Sequence, residues 1–252
     1  MIDFNLEGKV ALVTGGSRGM GLEIARNMLA QKAKVAICAR KQEGLDRAGA
    51  ELGGADNLLM VPAHIAREDE VDNLFGKVKE HFGRLDILIN NVGMNIMTSS
   101  VTDIDYSLWK KIIDSNLNGT YLCAVHASRI MKEQKAGKIV NISSIAGSRA
   151  SAGMGVYGVA KAAIEMLTRV LAAELADDGI LVNAVAPCMV KTDFSRPFWS
   201  DPALLEEIER TIPLCRIAEP EDIVKVILFL SSEASDFITG QTITVDGGAM
   251  AI

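Results

Sequence analysis

The sequence predicts an α/β fold: a doubly wound sheet of about seven parallel strands with helices on both faces, with residues 1–252 as a single domain. Three observations carry that prediction. Short apolar runs alternate with helix-period segments almost from end to end, and the runs are rich in Val, Ile and Leu with little polar alternation, the pattern of strands covered on both faces. Alternation of this kind implies right-handed crossovers between parallel strands. A length of 252 residues suits one large domain and is short for two, and with 49% apolar residues there is ample material for a core.

The first strand candidate spans 10–14 and is followed by a helical pattern over 20–31. Strand 34–38 precedes a helix over 41–52, and strand 58–62 precedes one over 67–81. Strand 85–90 leads to helices over 103–115 and 117–134. After strand 138–143 comes a helix over 155–177, in which Ala160, Ala163, Ile164, Leu167, Leu171 and Leu175 recur at helical spacing as one apolar stripe. Strand 181–186, a helix over 220–231 and strand 242–245 complete the series. Only 191–219 breaks the rhythm. It holds Pro197, Pro202 and Pro213, with Pro220 just beyond, together with Phe194, Phe198 and Trp199; a long irregular insertion after a strand reads as a lid over a site. There is no internal repeat, low-complexity tract or linker.

Charge and composition exclude several classes of function. With 26 basic and 32 acidic residues the net charge is −6, which argues against nucleic acid or an anionic membrane as partner. No stretch of eighteen apolar residues occurs, and Met1-Ile2-Asp3-Phe4-Asn5 lacks the basic and apolar regions of a signal peptide. Cys38, Cys123, Cys188 and Cys215 form no Cys-x-x-Cys pair, and His64, His81 and His126 are scattered. The expectation is a cytoplasmic protein with reduced thiols and no metal site.

Two constellations carry chemistry. Thr14-Gly-Gly-Ser-Arg-Gly-Met-Gly21 follows the first strand and opens a helix, so Gly15, Gly19 and Gly21 bring backbone N–H groups and a helix dipole to one point, which suits a pyrophosphate. The spacing departs from the common Gly-x-Gly-x-x-Gly fingerprint. At the end of the second strand, where a carboxylate would bind a ribose 2′-hydroxyl, the run is Ile37-Cys38-Ala39-Arg40-Lys41. With Arg18 in the glycine loop, these cations favour an anionic 2′-phosphate, hence NADP(H) over NAD(H). The second constellation is Tyr157 and Lys161, one helical turn apart, with Ser144 upstream. A phenol, an ammonium and a hydroxyl so ordered suit proton transfer to or from an alcohol oxygen.

With both in hand, the chain resembles the short-chain dehydrogenase/reductase family in its compact form, over nearly its whole length. The resemblance implies a Rossmann-type sheet and extends to Asn90-Asn91-Val92-Gly93 after the fourth strand, to Asn116 in Ser115-Asn116-Leu117-Asn118-Gly119, and to Ile142-Ser143-Ser144. It assigns catalysis to Asn116, Ser144, Tyr157 and Lys161. It assigns cofactor contacts to Gly15, Ser17, Arg18, Gly19, Met20, Gly21, Arg40, Lys41, Ile65, Asn91, Val92, Gly93, Pro187, Val190 and Thr192, besides Tyr157 and Lys161. In the implied mechanism Tyr157 is the general acid or base, its phenolate favoured by Lys161 and an oxidised nicotinamide. Ser144 hydrogen-bonds the substrate oxygen, Lys161 binds the nicotinamide ribose, and Asn116 helps hold a proton-relaying water. Two departures stand out: His64-Ile65 replaces an adenine-contacting Asp, and Pro187-Cys188 replaces Pro-Gly.

Positions that face substrate in that family are Met94, Met154 and Met189 here; with Ile145, Cys188, Phe194, Phe198 and Trp199 they suggest an apolar, adaptable pocket. The expected activity is NADP(H)-dependent interconversion of a carbonyl and a secondary alcohol on an alicyclic, aromatic or acyl substrate. The alternatives are a 3-oxoacyl-thioester reductase using Arg149, Lys191, Arg196 and Arg216, an NAD-dependent alcohol dehydrogenase, and a catalytically silent dinucleotide-binding sensor. The resemblance further implies a homotetramer or homodimer built through the helices near 117–134 and 155–177 and through the last strand.

Overall fold

Neighbouring residues of the first strand point into different layers. In β1 (Val10–Thr14), Val10 and Leu12 join one apolar cluster while Ala11 and Val13 join another, so the strand is covered on both faces. The computed structural model describes residues 4–54 and 56–251; Met1, Ile2 and Asp3, considered above with the N-terminus, lie outside the described residues.

The remaining strands are β2 (Lys34–Ala39), β3 (Leu58–Pro62), β4 (Ile87–Asn90), β5 (Gly137–Ile142), β6 (Ile180–Pro187) and β7 (Thr242–Val245). They form one sheet in the order β3-β2-β1-β4-β5-β6-β7, with every neighbouring pair parallel. The predicted doubly wound α/β fold is therefore present, and the order reverses between β1 and β4, opening a crevice at the carboxyl ends of those strands.

The helices are α1 (Gly19–Ala30), α2 (Gln42–Glu51), α3 (Glu68–Phe82), α4 (Tyr106–Ile113), α5 (Gly119–Gln134), α6 (Gly155–Leu175), α7 (Arg196–Trp199), α8 (Pro202–Arg210) and α9 (Pro220–Ser231). Ile24 and Met28 of α1, Leu45 of α2 and Ile223 and Ile227 of α9 pack on one face of the sheet. Val71, Leu74 and Phe75 of α3, Cys123 and Ala127 of α5 and Leu171 of α6 pack on the other. The apolar stripe of α6 is real but incomplete as read, because Lys161 and Glu165 lie on the buried side too.

The insertion at 191–219 contains α7 and α8, and so is more ordered than predicted. Both begin with proline at their first turn, where the missing N–H costs nothing, and Asp201 caps α8 by accepting from Ala203 N–H at 2.9 Å. Its two ends are tied together: Lys191 N–H donates to Ala218 O at 2.8 Å, and Ala218 N–H donates to Met189 O at 2.9 Å. Its Ile212 and Ile217 form a small core with Ala249 from the segment after β7.

Candidate active site

The glycine loop is shaped by close approach. Gly15 has φ +69°, and a Cβ on Gly21 would fall 2.6 Å from Asn91 Nδ2. Thr14, fully buried, clamps this loop to the one after β4. Its hydroxyl accepts from the N–H groups of Asn91 (3.0 Å) and Val92 (3.3 Å) and donates to Ile89 O (3.3 Å), while Asn91 Nδ2 donates to Thr14 O (3.0 Å). Reading the sequence missed Thr14 as a site residue because its partners lie more than seventy positions away. The N-terminus of α1 has no capping side chain and no carboxylate in its first turn, which leaves its amide groups free for an anion.

Arg18, Arg40 and Lys41 are exposed around this point, and none of their three side chains has a hydrogen-bond or ion-pair partner among the described residues. Arg40 belongs to a groove of roughly 590 Å³ whose walls also carry His64, Arg67, Lys110 and Lys111, with Asp114 its one carboxylate. Met94, expected in the substrate pocket, lines this same groove. Ile65, expected at the cofactor, is buried in the core, where a Cβ on Gly119 would touch it, so only its backbone remains for a ligand. Ser17 lies beside Gly44, and Met20 packs with the apolar layer beneath α1.

At the other end of the crevice, α6 carries Tyr157 and Lys161. Lys161 is buried, and its Nζ donates to Ile142 O at 2.6 Å while lying 5.5 Å from the centre of the Tyr157 ring. Burial lowers its pKa to about 8. Enclosure of the Tyr157 hydroxyl drives the phenol the other way, up to about 12, with a hydrogen bond to Ser144 opposing the rise. The expectation that Lys161 favours the phenolate is thus outweighed in the protein alone, since burial penalises charge on both groups. Ser144 starts a short 3-10 turn; its Oγ accepts from Ala146 N–H at 3.2 Å while its own proton goes to the Tyr157 oxygen. The turn is fastened to α6 by Glu165, whose carboxylate accepts from Ser143 (2.9 Å) and Ser148 (3.2 Å).

Asn116 sits between the two ends, in a π-helical segment, Asp114–Asn118, that joins α4 to α5. It is fully buried: Nδ2 donates to the carbonyls of Met94 and Ile112, both at 2.8 Å, and Oδ1 accepts from Met94 N–H at 3.2 Å. Its own carbonyl accepts the Thr120 hydroxyl at 2.7 Å. A Cβ on Gly93 would lie 3.3 Å from Asn116 Oδ1 and 3.6 Å from Lys161 Nζ, so the loop after β4 brings both ends together. Asn118 is exposed and donates to Asp114 Oδ1 at 2.7 Å.

The lid meets both ends. Thr192 lies over the glycine loop, 3.6 Å from a Cβ built on Gly19, and Phe194 is half-exposed with its ring centre 6.4 Å from that of Tyr157. Trp199 is used differently from the expectation. Its indole N–H reaches Thr192 O (3.0 Å) and Ser195 Oγ (3.1 Å), and its ring packs with Met189 and Cys188 on the small core of Ile212, Ile217 and Ala249. Pro187 and Val190 anchor the start of the lid, pairing with Val245 and Ala218. Burial raises the Cys188 thiol, which accords with a packing residue and not a nucleophile. Ile145, Met154 and Phe198 are half-buried. Reading the sequence missed Met97, which is exposed and would be touched by a Cβ on Gly153, where the loop after β4 leans on the approach to α6.

An open helix N-terminus, a glycine cradle that side chains would fill and a cationic groove beside it fit a phosphorylated dinucleotide. Among the described residues no group of His, Cys, Asp and Glu could hold a metal ion, and no helix is long and apolar enough to cross a membrane.

The comparisons with known proteins agree over the whole chain. The family model described as enoyl-(acyl carrier protein) reductase matches residues 15–250. A bovine (Bos taurus) protein named dehydrogenase/reductase SDR family member 4 is 36% identical over 98% of this chain and 88% of its own length. A 3-oxoacyl-[acyl-carrier-protein] reductase from Synechocystis is 38% identical over 96% of this chain and 97% of its own. A 3alpha-hydroxysteroid dehydrogenase from Mediterraneibacter gnavus is 36% identical over 97% and 98%. Among solved structures, a short-chain type dehydrogenase/reductase from Mycobacterium ulcerans superposes with a TM-score of 0.94 at 34% identity, covering 98% of this chain and 91% of that one.

Proposed function

The chain belongs to the short-chain dehydrogenase/reductase family, an NAD(P)(H)-dependent oxidoreductase family acting on small molecules, and on that premise we propose that it interconverts a carbonyl and a secondary alcohol on a fairly apolar substrate, with NADP(H) preferred. The observation that carries the reaction is the meeting of Ser144, Tyr157 and Lys161 at the crevice, with the Tyr157 phenol hydrogen-bonded to Ser144.

The bound dinucleotide would be held by the glycine loop, Arg40 and Lys161, and its nicotinamide would supply or accept the hydride. Tyr157, neutral until about pH 12, is poised to donate its proton to a carbonyl oxygen. Ser144 would turn its proton from the Tyr157 oxygen to the same substrate oxygen as negative charge develops there. Lys161, charged below about pH 8, favours the phenolate left behind and so offsets part of the cost of losing that proton. Asn116, buried next to the loop that carries Gly93 near Lys161, would help hold a water that returns a proton to this chain of groups. Phe194 beside Tyr157 keeps the approach apolar and partly excludes water.

The preference for NADP(H) rests on Arg18, Arg40 and Lys41, unpaired cations around a strand end that lacks a carboxylate. The Synechocystis relative favours a second reading, reduction of a 3-oxoacyl thioester. Three of the four cations it would call on are already engaged, Lys191 by Glu219 (3.4 Å), Arg216 by Asp222 (2.6 Å) and Arg149 by Ala249 O (3.3 Å), so that reading stays second. Initial rates with NADPH and NADH over alicyclic, aromatic and acyl ketones, a 3-oxoacyl thioester and polyol-derived ketones test all of this. The expected result is a kcat/KM at least about tenfold higher with NADPH and with apolar ketones; preference for NADH or for the polyol series would overturn it.

Self-association is part of the same proposal. Tyr121 on α5 and Val159, Met166 and Val170 on α6 are exposed apolar residues on the helices through which copies of the chain would pair. The four free thiols support a cytoplasmic setting.

A further inference from the structure

Glu165 lies on the buried side of α6, one turn beyond Lys161, with 7% of its surface exposed. Burying a carboxylate costs more than burying an apolar side chain, so stability alone does not account for it. Among the described residues its partners are two hydroxyls and no cation. Oε1 accepts from Ser143 at 2.9 Å and Oε2 from Ser148 at 3.2 Å, while Lys161 gives its ammonium to Ile142 O instead. Ser143 and Ser148 flank the short turn Ile145–Gly147 that Ser144 begins. One carboxylate therefore holds both ends of the segment that carries the Ser144 hydroxyl.

The turn sits tightly on the helix. A Cβ on Gly147 would fall 3.0 Å from Ala162 N, and a Cβ on Gly158 would fall 2.8 Å from Ala146 O, so turn and helix interlock through two glycines. The same helix carries Tyr157, whose oxygen accepts the Ser144 proton. The seating of the turn on α6 thus sets how Ser144 meets Tyr157. The glycines permit that seating, and the two hydrogen bonds to Glu165, each strengthened by the carboxylate charge, draw the turn into it.

We propose that Glu165 is a positioning residue for the reaction, stapling the 143–148 turn to α6 so that Ser144 is held against the Tyr157 phenol. The inference rests on the Ser144–Tyr157 reading above, and the test separates the two. Steady-state rates of the intact chain are measured with NADPH and the ketone turned over fastest in the series above. Glu165→Met should lower kcat by about ten- to a hundredfold with dinucleotide affinity unchanged. Glu165→Gln, whose amide oxygen serves Ser143 and whose NH2 serves Ser148, should recover kcat to within about threefold of wild type. In a Ser144→Ala background Glu165→Met should cost less than about twofold more, because the group it positions is gone. A Glu165→Met enzyme with wild-type kcat, or one whose loss is undiminished in the Ser144→Ala background, overturns the proposal. So does a Glu165→Met pH profile displaced from about 8, which would place its action on Lys161. Ser148→Ala, at an exposed residue, cuts half of the staple and should lower kcat several-fold; it carries the same comparison should Glu165→Met fail to fold. Wild-type turnover by Ser144→Ala alone would remove the Ser144 reading beneath.

Discussion

The two walls of the cleft are built on different terms. On the sheet side, Thr14, Asn116 and Lys161 are buried and hydrogen-bonded to segments far away in sequence. On the lid side no residue of α7 or α8 is buried, Phe194 is half-exposed, and the segment is held by its two joined ends and a small core. Local opening costs little where few apolar contacts are lost and much where it would unpair buried polar groups. The groups proposed for proton transfer are therefore fixed by the stability of the whole fold, while those proposed to meet the substrate can shift without disturbing them.

Substitutions on each wall should behave accordingly. The largest effect is expected for Tyr157→Phe, which removes the proton donor and should lower kcat/KM by about 10²–10⁴ without changing dinucleotide affinity; wild-type turnover would dissolve the proton-transfer assignment. Next, Thr14→Val keeps the side chain's shape but unpairs the N–H groups of Asn91 and Val92. It should cost roughly 1–3 kcal/mol of stability, read as a fall in Tm of several degrees, with weaker dinucleotide binding alongside. Loss of binding with an unchanged Tm would show that Thr14 serves the ligand alone. A pH profile comes third. Lys161 loses its charge as pH rises through about 8 while Tyr157 keeps its proton to about 12. Reductive kcat/KM should be level below pH 8 and fall by roughly tenfold per unit above it. A profile level to pH 10 would take the Lys161 charge out of the rate. The smallest effect belongs to the lid: Phe194→Ala should leave stability within about 0.5 kcal/mol while raising KM several-fold for apolar ketones. A large drop in Tm would mean that the lid is part of the core after all.

The two walls also differed in how far they could be read from sequence. Strand positions came through because burial on both faces leaves unbroken apolar runs; 10–14, 58–62 and 242–245 coincide with the observed strands. Tyr157, Lys161 and the glycines were legible as candidates because each lies within a few residues of its motif. The lid's helices were not, because prolines that begin a helix and prolines that break one look alike until the following turn is seen. Thr14 and Glu165 were opaque for a different reason: each is made important by partners brought near only by the fold. The same holds for Trp199, whose aromatic ring suggested a substrate contact and which packs on a small core shared by the lid and the segment after β7. Placement of Met94 beside Arg40 likewise depends on how α4 closes over the groove.

The π turn at Asp114–Asn118 gives the helical rod one residue more than an α-helical path needs. Each residue of an α-helix advances about 100° around the axis, so α4 and α5 are out of phase by about that angle. This lets α4 lie against α6 while α5 packs on α3 and the sheet. Deleting a single residue here would bring the halves back into phase, like a gear slipping one tooth, and swing Asn116 away from Met94. Length changes are thus cheap in the lid and ruinous in this rod, although both lie on the surface of the same cleft.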